Sequence, residues 1–297
     1  MYRAKARGRN TYECYTLDLT RLAQERLTID TRLRQALQKE EFLLCYQPLV
    51  PIGTDAPLGL EALVRWQPEG EAQISPDRFI PVAEESGLIV PLGEWILRTA
   101  CAQACRWLDE GLPFDRVAVN VSVIQLRQTN FVVTLQDILR ATGLPPRHLE
   151  IEITESGLME QGGQTEVILR AIQRIGVRLT IDDFGTGYSS LAYLKQLPID
   201  KLKIDRSFIR DITDDVNDRS IVTAIIDMAH TLELEVLAEG VETEAQLELL
   251  MMRGCDTYQG YLFSPPLPTD ALPKVFADWR GTQSSHAQCS DLAQDCN

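Results

Sequence analysis

Leu179-Thr180-Ile181-Asp182-Asp183-Phe184-Gly185-Thr186-Gly187-Tyr188-Ser189-Ser190 reads as an apolar, β-branched strand that climbs to two adjacent carboxylates and then meets a turn with two glycines. Two carboxylates side by side repel unless a cation stands between them. Hard divalent cations take oxygen ligands, and two metals lying close together share at least one carboxylate. A plainer reading of the same stretch is a polar strand end followed by a glycine turn. The rest of the chain decides between the two.

The form of this stretch recurs along the chain. Apolar runs over 42–50, 58–64, 117–121, 149–153, 177–181, 202–204, 236–238 and 258–263 each end at a polar or charged residue. Between most of them lie segments of helical period, at 94–108, 131–139, 166–175, 221–232 and 244–252. Eight alternations of strand and helix predict an α/β fold, a (β/α)8 TIM-like barrel over residues 40–280. Only residues 51–57 join the first two runs. A right-handed parallel crossover needs about a dozen residues, so a hairpin is expected, with the first strand antiparallel to the second. Residues 17–39 read as a helical linker, with Leu22, Leu27, Ile29, Leu33 and Leu37 near helical spacing. The polar stretch 281–297 reads as a disordered tail.

Composition narrows the function. The net charge of −14 on 297 residues argues against a nucleic-acid polymer as partner, because a phosphate backbone wants a basic surface. A small phosphate ester remains compatible with an acidic protein if divalent cations bridge the two sets of charge. No apolar run approaches a membrane span and no signal peptide is expected. The seven cysteines form no CxxC pair, and Cys101 and Cys105 read as helix packing. A reducing, cytoplasmic compartment follows for this portion of the protein. His148, His230 and His286 stand away from the strand ends and read as structural.

In such a barrel, polar residues at the C-terminal strand ends converge on one mouth. On the predicted strands these are Glu61, Asn120, Glu152, Asp182, Asp183, Lys203, Glu239 and Gln259. Buried carboxylates without compensation are costly, so either they hold protons or cations occupy the mouth. Their number favours cations.

At this point the residues resemble a known family. Glu61-Ala62-Leu63-Val64-Arg65-Trp66 is similar to the signature of the EAL domain family of cyclic-di-GMP phosphodiesterases. The resemblance extends through Gln47-Pro48, Asn120-Val121-Ser122, Glu152-Ile153-Thr154-Glu155, Asp182-Asp183-Phe184-Gly185-Thr186-Gly187 and Lys201-Leu202-Lys203-Ile204-Asp205. It closes with Ala238-Glu239-Gly240-Val241-Glu242-Thr243 and Gln259-Gly260-Tyr261. It implies that Glu61, Asn120, Glu152 and Asp182 hold a first Mg2+ or Mn2+, with Asp182 and Asp183 shared with a second. It further implies catalytic roles for Lys203 and Glu239 at the attacking water, and for Glu155 as the acid that holds the loop after the fifth strand. Gln47, Arg65 and Gln259 match positions near the nucleotide. The same resemblance implies a homodimer through the loop and helix after residues 182–187, and Phe184, Tyr188, Leu191 and Leu194 pack either in the chain or on that partner. Residues 1–16, with Tyr2-Arg3-Ala4-Lys5 and Gly8-Arg9-Asn10, resemble the end of a GGDEF (diguanylate cyclase) domain, which implies an upstream GGDEF or sensor domain in a longer protein.

The implied chemistry is in-line attack of a metal-activated water on one phosphorus of cyclic-di-GMP, giving linear pGpG. The residues leave Lys203 and Glu239 both open as the base. They also leave open a receptor that binds the dinucleotide without cleaving it, and a barrel hydrolase of other phosphodiesters.

Overall fold

The computed structural model describes residues 17–54, 58–159, 164–187 and 191–279. The helix α1 (Leu17–Ala36) leads into β1 (Phe42–Pro51) and β2 (Leu58–Trp66), followed by α2 (Pro76–Ser86) and α3 (Ile89–Asp109). Next come β3 (Phe114–Asn120), α4 (Val123–Leu126), α5 (Phe131–Thr142), β4 (Leu149–Thr154), α6 (Glu155–Met159) and α7 (Gln164–Ile175). The second half runs β5 (Arg178–Phe184), α8 (Leu191–Leu194), β6 (Lys201–Ile204), α9 (Arg206–Ile209) and α10 (Val216–Thr231). It ends with β7 (Glu235–Glu239), α11 (Glu244–Met252), β8 (Thr257–Gln259) and the short β9 (Leu267–Pro268).

The strands β2 to β8 pair in chain order and in parallel, and β1 closes the barrel between β8 and β2. As the short joint requires, β1 is antiparallel to β2, with Gln47 opposite Glu61. It is also antiparallel to β8, and β9 adds to its edge at Cys45 and Tyr46. The α/β barrel with a reversed first strand is the expected fold.

The main core lies between strands and helices. Trp66, Phe79 and Leu58 are wholly buried there, and Tyr46 meets Trp107 edge-on at 4.8 Å. Leu49, Ala118 and Leu237 form a separate small apolar cluster on β1, β3 and β7. The helix α1 lies in the stretch read as a linker, and it is held against the barrel. Leu33 and Ala36 are fully buried, Arg32 lies over the Trp66 ring at 5.7 Å, and Arg26 pairs with Glu85 of α2 at 3.0 Å. Among the described residues, no helix is long and apolar enough to cross a membrane.

Three expectations change in detail. The eighth strand stops at Gln259 and does not run on through 263. A side chain at Gly260 would collide with the backbone of Val241, and the Gly260 carbonyl accepts from the N–H groups of Phe263 and Ser264, so the chain turns there. The fifth strand continues through both aspartates to Phe184. Its pairing with β6 shifts register between Ile181 and Phe184, and Asp183 takes a left-handed φ of 56° within this bulge. The helix α2 had no counterpart in the sequence reading, because Pro76 and Pro81 break its periodicity; a proline at the first helical position is well tolerated, as Pro76 is here.

The resemblance of residues 1–16 to a GGDEF end, the tail 281–297, His286 and the packing of Tyr188 all lie outside the described residues.

Candidate active site

Parallel strands bring their last inward residues to one level, and the acids gather there. Glu61 is 4% exposed on β2, Glu152 is fully buried on β4 and Asp182 is 8% exposed on β5. Asn120, last residue of β3, donates its Nδ2–H to Glu61 Oε1 at 2.7 Å. Gln259 Nε2 donates to Glu61 Oε2 at 2.7 Å and to Gln47 Oε1 at 3.0 Å, while Gln47 Nε2 donates to the Ser264 carbonyl. These amides orient Glu61 from both sides.

Lys203 of β6 is the hub. Its buried ammonium lies 2.7 Å from Glu239, 2.9 Å from Glu152, 3.1 Å from Asp182 and 3.5 Å from Glu61. Burial pulls a lysine pKa down, yet these four carboxylates hold this one well above its ordinary value. Lys203 therefore keeps its proton.

One cation among five carboxylates leaves an excess of negative charge. Burial, then Glu61, pushes Glu152 well above the usual carboxylate range. Burial and the charge of Asp182 raise Glu239 to about 8 against the pull of Lys203. Asp183 is raised to about 6 by burial, Asp182 and Asp205. Burial would raise Glu61 as well, but Lys203 and the two amides bring it below its ordinary value.

This donor set fits a hard divalent cation. Carboxylate oxygens of Asp182, Asp183 and Glu239 lie within 4.8 Å of one another. The buried Oε1 of Glu152 has no hydrogen-bond partner among the described residues. An oxygen that is buried, acidic and unpartnered is what a cation ligand looks like before the ion arrives.

Glu155 follows β4 by one residue and reaches the glycine turn. It is 1% exposed and accepts from the Gly185 N–H at 2.7 Å and the Gly187 N–H at 3.4 Å. A Cβ at Gly187 would stand 2.8 Å from Glu155 Oε1, so a side chain there would displace the carboxylate that holds the turn. Phe184 and Leu194 are buried in the chain's own core.

Glu152, Asp182 and Asp183 open on a cavity of about 580 Å³, which Asn120, Pro76, Ile80, Ser122 and Arg127 also line. Arg65 stands on its wall, half-buried, with one N–H donated to the Val64 carbonyl; it does not join the acidic cluster. The other candidates, Glu61, Asn120, Glu152, Asp182, Asp183, Lys203, Glu239, Gln47 and Gln259, converge on a single centre. His148 and His230 stay outside it, bound to the Asp115 carbonyl and the Asp256 carboxylate.

Sequence reasoning passed over the support behind Asn120. Ser122 caps α4 in a reciprocal box with Gln125, and its hydroxyl donates to Glu84 Oε1 of α2 at 2.6 Å. The Ser-x-x-Gln spacing was a usable signal. Glu84 had none, since the contact depends on where α2 lands.

The same arrangement has relatives. The EAL domain family model matches residues 30–266. The bifunctional diguanylate cyclase/cyclic di-GMP phosphodiesterase MucR of Pseudomonas aeruginosa is 44% identical over 272 residues, which are 92% of this chain and 40% of MucR. The cyclic di-GMP phosphodiesterase NbdA of the same organism is 43% identical over 280 residues, 94% of this chain and 36% of NbdA. The chain thus spans well under half the length of these relatives. A solved structure of the PaMucR phosphodiesterase with c-di-GMP superposes with a TM-score of 0.79 at 44% identity, covering 82% of this chain and 99% of that one. A match that begins on α1, runs through every strand of the barrel and takes in the turn after β8 makes this chain a member of the EAL domain family.

Proposed function

We propose that this chain hydrolyses cyclic di-GMP to linear pGpG with two divalent cations, Mg2+ or Mn2+, per site. The observation that carries this reading is the excess of carboxylates around Lys203, with Glu152, Asp182 and Asp183 on the wall of a 580 Å³ cavity and an unpartnered Glu152 oxygen among the described residues, in a fold whose PaMucR relative was solved with c-di-GMP. Glu61, Asn120, Glu152, Asp182 and Asp183 would hold the cations. When bound, these supply Lewis acidity toward phosphoryl oxygens and make water a stronger acid.

The chain's own residues do the rest. Lys203 stays protonated and acts as a donor, not a base. Glu239, whose carboxyl is raised to about 8, is the group suited in its ionised form to take a proton from the attacking water. Arg65 offers a guanidinium to a phosphate on the cavity wall. Gln259 holds Glu61 and is itself held by Gln47, and Glu155 fixes the turn that follows Asp183.

Incubation with cyclic di-GMP and Mn2+, followed by separation of products, tests the reading. Appearance of pGpG supports it; binding without cleavage under every divalent cation would leave the receptor reading in its place. Preference for another dinucleotide would redirect it to a different phosphodiester. As part of the same proposal, the chain works in the cytoplasm, downstream of a GGDEF or sensor domain, and dimerises through the segment after Gly187. Sedimentation is expected to show a dimer, and a monomer at working concentration would remove that part.

A further inference from the structure

Beneath the acidic centre lies a second buried ionic set on the same three strands. Glu150 of β4, Thr180 of β5 and Lys201 of β6 each stand two residues before Glu152, Asp182 and Lys203. Two residues along a strand return the side chain to the same face, about 7 Å away. Lys201 Nζ donates to both oxygens of Glu150, at 3.0 and 3.1 Å, and the Thr180 hydroxyl donates to Glu150 Oε1 at 2.8 Å. Arg116 of β3 stands 3.5 Å from Glu150 Oε2. Glu150 is fully buried, and Thr180 and Lys201 are 1% and 5% exposed.

We propose that Glu150, Thr180 and Lys201 form a positioning brace that sets the spacing, and hence the cation affinity, of Glu152 and Asp182. This rests on reading the acidic centre as a cation site. The strands β4 and β6 are not neighbours, because β5 separates them. Lys201 spans that gap to Glu150, as Lys203 spans it to Glu152, and Thr180 joins from the strand between. Thr180 and Lys201 are also paired in the regular part of the β5–β6 ladder, just before the register shift at Asp182 and Asp183. The brace thus ties the three strands together by side chains just before the β5–β6 backbone pairing shifts register.

Stability alone does not call for these charges. A buried ion pair is commonly matched or exceeded by apolar side chains of the same volume. Leu49, Ala118 and Leu237 already fill the β1, β3 and β7 side in that way. The ionic filling is kept on the three strands that carry Glu152, Asp182 and Lys203.

The test is the double variant Glu150→Leu/Lys201→Met, which removes both charges of the pair and leaves Arg116 its bridge to Asp115 at 2.7 Å. It is expected to unfold at the wild-type denaturant concentration or above, and to bind Mn2+ about tenfold to a hundredfold more weakly by calorimetry. At saturating Mn2+ its kcat should fall while KM for cyclic di-GMP stays within about twofold, since substrate contacts lie above the brace. Native Mn2+ affinity and native kcat in the folded double variant would overturn the proposal. If that variant does not fold, Thr180→Val keeps the shape and removes one bond; it should weaken Mn2+ binding in the same direction, and native affinity there overturns the proposal equally. Absence of Mn2+ binding by the unsubstituted chain would instead sink the cation reading, and the brace with it.

Discussion

Lys203→Met is expected to destabilise the metal-free protein by about 3–5 kcal/mol and to abolish pGpG formation. The substitution removes the ammonium that, alone among the described residues, lies within 3.5 Å of Glu61, Glu152, Asp182 and Glu239, in a position with no solvent access. The four carboxyls must then bind protons or repel. A carboxyl whose folded pKa is raised binds more protons folded than unfolded, so its contribution to stability falls as pH rises from the usual carboxylate range through the folded value. Glu239 already titrates at about 8 with Lys203 present, and losing that cation moves it higher. The deficit should therefore be small at about pH 5 and large at about pH 8. Urea unfolding in the presence of a chelator reads this directly, and Mn2+ should recover part of the loss at the higher pH. A variant as stable as the wild type at the higher pH would contradict the account of Lys203 as the centre's counter-charge.

Asp183→Asn should separate cation binding from folding. Asparagine tolerates the left-handed backbone that Asp183 adopts at φ 56°, so the bulge survives. Asp183 is held at about 6 by burial, Asp182 and Asp205, which makes its charged form a cost in the metal-free protein. That cost is absent below the usual carboxylate range and complete once pH has risen through about 6. The variant should match the wild type in acid and melt at the same or a higher temperature near neutrality, both without metal. The rise in melting temperature that Mn2+ gives the wild type should shrink, and product formation should fall by about a thousandfold. A full Mn2+ shift in the variant would show that Asp183 is not a ligand.

These expectations draw on residues of differing legibility. Glu61, Asn120, Glu152 and Asp182 could be read because each ends or punctuates an apolar run, and period and composition are local properties of the chain. The reversed first strand was equally plain, since seven residues cannot carry a parallel crossover. The clamp of Glu155 on the glycine turn was implied only by family resemblance, and its geometry needed the fold: acceptor and donors are 30 and 32 residues apart. Glu84 behind Ser122, 38 residues away, carried no signal of its own.

The amino-acid sequence by itself determined the α/β barrel, its hairpin start and the list of acids at its mouth, because hydrophobic alternation and joint length act within a few residues. Only the tertiary structure decided that the fifth strand runs through both aspartates and bulges there, and that one lysine sits among four of the acids. Beneath that lysine it placed a second ionic layer, with Lys201 and Glu150 51 residues apart. Those facts follow from strand register and barrel closure, which link residues far apart in the chain and leave no periodic trace along it.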